Sequence, residues 1–247
     1  MQKFKKKKSD STEDRNALIV VTGGARSGKS TFAENLLAWC AARRGLGEKI
    51  AYIATGVPCD EEFRLRIEKH KKQRSELFHT YEETLAIDAA VRKASKKYRL
   101  ILVECLTTWL GNVFFNYTDE SEAEKFITHT LDSLLRDCFS VPSGDISISQ
   151  RYNSLSISGA QLMENQINGL AAGIHENRLS LPSGIIADPE KCRSIVIFIA
   201  NETGLGIVPD NRIARLFRDW QGIVNRRMTA AASYAYLCMS GIPIRLK

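Results

Sequence analysis

Short apolar runs rich in β-branched residues alternate along the chain with stretches whose apolar positions recur every three or four residues. Ala17-Leu18-Ile19-Val20-Val21-Thr22, Lys49 to Thr55, Arg99 to Glu104, Ser194 to Ala200 and Tyr234 to Met239 read as buried strands. Leu77 to Thr80 and Ile244 to Leu246 add two shorter ones, the second after a turn at Gly241-Ile242-Pro243. The first helical period begins at Lys29, places Phe32, Leu36, Leu37 and Cys40 on one face, and ends at Gly45 and Gly47. Further helices are predicted after an Asp60 cap, with Phe63 and Ile67 inward, from Glu82-Glu83-Thr84 to about Lys96, over Cys105 to Phe115, and over Glu122 to Phe139. A long one starts at Pro209 and Asp210 and carries Ile213, Leu216, Phe217, Trp220, Ile223, Val224 and Met228 at helical spacing. This alternation predicts an α/β fold, a mostly parallel sheet with helices on both faces.

The pattern fails in two places. Met1 to Asn16 is too polar to fold alone and reads as a disordered basic tail. Between about residues 140 and 193 the period degrades, bounded by near-duplicate turn signals, Val141-Pro142-Ser143-Gly144 and Leu181-Pro182-Ser183-Gly184. That stretch reads as an irregular insert in a single domain spanning 17–247, with apolar patches around Ile157 and Ile174 that allow short helices. At 247 residues, 44% hydrophobic and 26% charged, the chain is long enough for one full core and of ordinary globular composition.

The net charge of +7 suggests nucleic acid until it is located. Lys3, Lys5, Lys6, Lys7 and Lys8 supply five of those charges, so the body is left at +2, and no stretch interleaves aromatic and basic residues. A solvated tail is the simpler reading, and no nucleic-acid partner is expected. A secretory signal needs about 7–15 apolar residues after its basic start, whereas here Ser9-Asp10-Ser11-Thr12-Glu13-Asp14 follows. Leu100 to Phe115 is interrupted by Glu104 and is shorter than the roughly 20 residues of a membrane span. Six cysteines (40, 59, 105, 138, 192 and 238) show neither a C-x-x-C pair nor metal-ligand spacing and read as reduced, mostly buried small hydrophobes. The expectation is a cytoplasmic protein without a membrane span.

Chemistry enters at Gly23-Gly24-Ala25-Arg26-Ser27-Gly28-Lys29-Ser30, a complete match to the phosphate-loop pattern G-x-x-x-x-G-K-[ST] between a predicted strand and a predicted helix. Such a loop aims backbone N–H groups at one point where the helix dipole also favours negative charge. Lys29 is expected on the β and γ phosphates and the Ser30 hydroxyl on Mg²⁺. The fold class is therefore refined to a P-loop NTPase-like α/β sheet, with ligands at the strand C-terminal ends, where Thr55, Glu104 and Glu202 also fall. Glu104 ends an apolar strand as metal-associated acids do in phosphate-loop proteins, although many buried strands end in an acid. On residues alone, His70 is a solvated histidine on a basic helix or a nucleophile, and the arginines at 212, 215, 218, 226 and 227 are a solvated face or phosphate contacts.

Five stretches taken together resemble one family, the bifunctional adenosylcobinamide kinase / adenosylcobinamide-phosphate guanylyltransferases of cobalamin biosynthesis. They are Thr22 to Ser30, Tyr52-Ile53-Ala54-Thr55, Arg66-Ile67-Glu68-Lys69-His70-Lys71 with Arg74, Glu104-Cys105-Leu106-Thr107, and Asn201-Glu202-Thr203-Gly204-Leu205-Gly206-Ile207-Val208-Pro209-Asp210-Asn211-Arg212. The resemblance implies phosphorylation of adenosylcobinamide, then GMP transfer from GTP to the phosphate product through a guanylyl-histidine, with His70 in that role. It places nucleotide contacts on Gly23, Gly24, Ala25, Arg26, Ser27, Gly28, Lys29, Ser30, Ala54, Thr55, Gly56, Lys71, Lys72, Gln73, Arg74, Glu82 and Glu104. It implies GTP and ATP as substrates, a corrinoid acceptor and a homotrimer, while the phosphate loop itself points to Mg²⁺ at Ser30 and Glu104. Some members carry a histidine where Lys69 stands, and members generally lack the basic tail and the insert. Three readings stay open at this point: the bifunctional enzyme, a monofunctional phosphate-loop kinase of a small alcohol or nucleotide, and a GTP- or ATP-binding regulatory module. The choice of ATP or GTP as phosphoryl donor is open as well.

Overall fold

The computed structural model describes residues 16–45, 48–58, 61, 64–65, 68, 71, 75–139 and 192–247. The elements are β1 (Ala17–Gly23), α1 (Lys29–Arg44), β2 (Ile50–Ala54), β3 (Phe78–Glu82), α2 (Ile87–Ala94), β4 (Leu100–Val103), α3 (Leu106–Asn116), α4 (Glu120–Phe139), β5 (Ile195–Asn201), α5 (Arg212–Ala231), β6 (Tyr234–Met239) and β7 (Ile242–Arg245). Among the described residues, seven strands form one sheet in the order β3-β2-β4-β5-β1-β6-β7. Every pairing is parallel except β6 with β7. This is the expected mostly parallel α/β sheet.

The central strands read as unbroken apolar runs because both of their faces are covered. Leu18 and Val20 join Ile101, Val103, Val196 and Phe198 in a core closed by Ile87, Trp109, Leu131 and Val224 from α2, α3, α4 and α5. Ile19 and Val21 point the other way, with Leu100, Leu102 and Ile197, onto Phe32, Leu36, Leu37 and Cys40 of α1. The predicted face of α1 is thus the one that packs.

Element ends differ from the sequence reading wherever a side-chain cap decides them. Glu82 does not open a helix: it completes β3 opposite Ala54. The Glu83 carboxylate then accepts from the N–H groups of Leu85 (3.0 Å) and Ala86 (2.8 Å), and α2 begins only at Ile87. The long helix begins at Arg212, not at Pro209 and Asp210, because Asn211 caps it by accepting from Ala214 N at 2.7 Å. Asp119 accepts from Glu122 N at 3.0 Å and starts α4 two residues early. The last turn is tighter than expected, resting on Ser240 (φ 50°) and Gly241 (φ 83°), so Pro243 lies inside β7. At a sheet edge its missing N–H costs no ladder bond.

Of the Asp60 helix, Glu61, Arg64, Leu65, Glu68 and Lys71 are described and helical, while Asp60, Phe63 and Ile67 lie outside the described residues. Residues 1–15 of the tail and 140–191 of the expected insert also lie outside them. Asn16, counted with the tail from sequence, is tied into the fold: its Nδ2 donates to Cys138 O at 2.6 Å and its Oδ1 accepts from Ser194 Oγ at 2.7 Å. Among the described residues no helix is long and apolar enough to cross a membrane. Cys40, Cys105, Cys138, Cys192 and Cys238 are free thiols.

Candidate functional site

The loop between β1 and α1 is shaped by contacts that exclude a side chain at Gly23 and crowd one at Gly28. A Cβ on Gly23 would lie 2.5 Å from both Cys238 O and Ser27 Oγ, and one on Gly28 would lie 3.1 Å from Gly241 Cα. Gly28 also holds φ 87°, in the left-handed region, and Arg26 holds φ 56° without being glycine. The β6–β7 hairpin braces the loop from the side, Gly241 N donating to Ser27 O at 3.0 Å.

No side chain caps α1, and its first turn contains no acidic residue. Within the loop the Ser27 N–H donates to Gly24 O at 3.3 Å, and the first-turn N–H groups of α1, which have no intrahelical partner, can receive an anion. Lys29 lies back across the loop, with Nζ donating to Gly24 O at 3.1 Å. Ser27 Oγ is buried and makes no hydrogen bond. Ser30 is half-buried in the first turn of the helix.

Beside the loop, the ends of β2, β4 and β5 form a shelf. Thr55 is fully buried, and its hydroxyl donates to Cys105 O at 2.9 Å. Asn112 Nδ2 donates to Thr55 O at 2.7 Å and to Thr84 O at 3.0 Å, which fixes the segment through Gly56. Glu104 follows β4, half-buried, with its N–H on Ile53 O at 3.0 Å. Lys71 and Glu82 are brought together, Nζ to Oε1 at 2.5 Å, with both side chains largely exposed. His70, Lys72, Gln73 and Arg74 lie outside the described residues.

Sequence reasoning missed five contributors: Asn112, Gln221, Asn225, Gly241 and Cys238. Asn112 and the pair Gln221 and Asn225 act through residues far away in the chain, and no local motif marks them. The Gly241 turn was read as a strand connection, yet it abuts the phosphate loop. Cys238 lies against Gly23 as well, and burial pushes its thiol up to about 11. At neutral pH it therefore supplies no thiolate to this site.

A parallel sheet with an uncapped helix N-terminus behind a complete phosphate loop defines a P-loop NTPase-like α/β protein. Comparison with known proteins narrows this further. The sequence model described as cobinamide kinase / cobinamide phosphate guanyltransferase matches residues 19–149 and 157–246, and the chain belongs to that family. It is 31% identical over 230 residues, 93% of this chain and 99% of the other, to the bifunctional adenosylcobalamin biosynthesis protein CobU of Escherichia coli. To the protein of the same name from Salmonella typhimurium it is 32% identical over the same shares, 93% and 99%. The bifunctional adenosylcobalamin biosynthesis protein CobP of Pseudomonas aeruginosa is 29% identical across 92% of this chain and 96% of its own length.

Proposed function

We propose that the chain performs both reactions of its family. It phosphorylates the hydroxyl of adenosylcobinamide, then transfers GMP from GTP to adenosylcobinamide phosphate, giving adenosylcobinamide-GDP, by way of a guanylyl group on His70. The observation that carries this reading is the uncapped N-terminus of α1 behind Gly23 to Ser30, in a chain matched by the family on both sides of that loop.

In this reading Gly23 to Ser30 cradle the triphosphate, and Lys29 leaves Gly24 O for the β and γ phosphate oxygens. Ala54, Thr55 and Gly56 offer main chain to the nucleotide. Lys71, Lys72, Gln73, Arg74 and Glu82 are the other residues assigned to nucleotide contact. The oxygens of Ser30 and Glu104 suit Mg²⁺, which binds through one or two protein oxygens together with substrate phosphates. Bound there, Mg²⁺ neutralises phosphate charge.

The neutral imidazole of His70 attacks the α phosphorus of GTP; an N–P bond forms, the α–β anhydride breaks and pyrophosphate leaves. The phosphate of the acceptor then attacks the same phosphorus, forming the diphosphate and releasing the imidazole. Lys71, Lys72 and Arg74 stabilise the charge that develops on the phosphate oxygens. A cytoplasmic homotrimer is part of the same proposal.

The test incubates the protein with α-labelled GTP and Mg²⁺ and follows the label through acid, alkali and a His70→Ala variant. A phosphoramidate is labile in acid and stable in alkali, and it is absent from His70→Ala. Acid-stable label, or label undiminished in the variant, would leave a monofunctional kinase as the better account. Tight GTP binding without any transfer would leave a regulatory module.

A further inference from the structure

Asn201, Glu202 and Thr203, at the tip of β5, make no nucleotide contact in the bifunctional reading. The fold nonetheless builds them into a polar platform. β5 is the strand between β1, which carries the phosphate loop, and β4, which leads to Glu104. The Glu202 N–H donates to Gly23 O at 3.2 Å, which sets this residue beside the first glycine of the loop. Its carboxylate is held from behind: Asn225 Nδ2 donates to Glu202 Oε1 and to Asn201 O, both at 3.0 Å. Gln221, fully buried, fixes Asn225 in turn by donating Nε2 to its Oδ1 at 2.7 Å.

The other carboxylate oxygen of Glu202 accepts no hydrogen bond among the described residues, and no lysine or arginine there pairs with it. On either side, Asn201 Oδ1 and Thr203 Oγ1 are buried without partners. Three consecutive residues therefore keep hydrogen-bonding capacity open beside the phosphate loop. Buried polar atoms are left this way where another polar molecule satisfies them. A half-buried carboxylate with one oxygen fixed by a neutral donor and the other open is a well-placed proton acceptor.

We propose that Glu202 is the general base of the phosphoryl-transfer step, an assignment that rests on the bifunctional reading above. The acceptor hydroxyl lies between the γ phosphate and the second carboxylate oxygen, to which it donates its one proton; Thr203 Oγ1 can donate to the hydroxyl oxygen, and Asn201 Oδ1 can accept from a further donor of the same molecule. As the hydroxyl oxygen attacks the γ phosphorus, its proton passes to Glu202. The new O–P bond forms, the β–γ anhydride breaks, and the nucleoside diphosphate leaves with the electron pair. Glu202 then releases the proton to solvent. The guanylyl half of the cycle has no such need, because its nucleophiles are a neutral imidazole and a phosphate anion. Glu202 thus serves one of the two reactions.

The test reads the two reactions separately in one protein. Kinase turnover is followed with adenosylcobinamide and γ-labelled nucleotide, and guanylyl transfer with α-labelled GTP and preformed adenosylcobinamide phosphate. Glu202→Gln keeps an acceptor for Asn225 while removing the base. The expected result is a fall in kinase kcat of about 10²–10⁴-fold, with loss of the low-pH limb of its profile. Guanylyl transfer should fall no more than about threefold, since it lacks general-base catalysis. Glu202→Asp retains a carboxylate and should keep the limb. Equal losses in both reactions, a kinase rate within tenfold of wild type in Glu202→Gln, or a limb that survives in Gln or vanishes in Asp would overturn the assignment. Wild-type protein without kinase turnover would remove the bifunctional reading and the assignment with it, whereas wild-type turnover with an unsplit variant removes the assignment alone.

Discussion

Gly28 and Gly241 lie so close that a single methyl group on Gly28 would come within 3.1 Å of Gly241 Cα. The phosphate loop is thus shaped from both ends of the chain: by the helix that follows it and by the C-terminal hairpin packed at its side. Truncating the chain before Gly241 would remove a wall of the site.

Gly28→Ala meets this wall with a residue that also resists φ 87°. The strain of a left-handed non-glycine and the tight contact together should cost about 1–3 kcal/mol of stability, with weaker nucleotide binding. Gly24→Ala is the control, since a Cβ there meets nothing within 4 Å. Denaturant midpoints and nucleotide titrations of the two variants check this. Equal behaviour of both would show that the hairpin does not shape the loop.

Asn112→Ala removes the donor that holds Thr55 O and Thr84 O. Leaving two carbonyls with one fewer partner should lower stability by about 1–3 kcal/mol. Because the segment through Gly56 is then held less firmly, KM for GTP should rise by more than kcat falls. Steady-state kinetics beside a urea titration separate the effects. An unchanged KM in a destabilised variant would confine Asn112 to the fold.

The parts of this protein legible in sequence are those whose cause is local. Strands buried on both faces write themselves as apolar runs, and the phosphate loop is one contiguous motif. Boundaries were legible only where the capping residue was the obvious one. Asn211 prevailed over Pro209 and Asp210 because its side chain reaches Ala214 N, and Glu82 was claimed by a ladder partner 28 residues away, Ala54. The second ring of the site was not legible. Asn112 and Thr55, 57 residues apart, or Asn225 and Glu202, 23 apart, meet only because the sheet order brings them together.

Stability should fall in alkali, and the sign follows from the buried thiols. Burial pushes Cys138 and Cys238 up to about 11 and Cys40 up to about 12, from 9.0 in each case. A raised acid pKa means that the folded chain keeps protons that the unfolded chain releases above pH 9. The stabilisation is complete below pH 9 and is lost as pH rises through about 11 to 12. Each thiol should contribute roughly 1 kcal/mol per pH unit in that window. Urea midpoints at pH 8 and pH 10 measure the loss, and Cys238→Ala should make it shallower. A flat profile between those pH values would contradict the burial of these groups.

The segment from Pro142 to Pro189 is proposed to be a dispensable excursion within the single domain. Its composition is turn-rich, and the match to the family skips residues 150–156 within it while covering the remainder. The structural ground is Asn16, which bonds Cys138 O at 2.6 Å and Ser194 Oγ at 2.7 Å. The end of α4 and the start of β5 are thereby held near each other by a residue outside the segment, so a short connection can span them. Loop-closure entropy changes by only about 0.6 kcal/mol per doubling of length. Replacing the segment with a short Gly/Ser linker should therefore alter stability by no more than a few kcal/mol, of either sign. Both labelled-nucleotide assays should keep their rates, and Asn16→Ala should destabilise the shortened protein more than the full-length one, whose closure no longer depends on a short span. A shortened protein that fails to fold, or that changes oligomeric state, would make the segment structural.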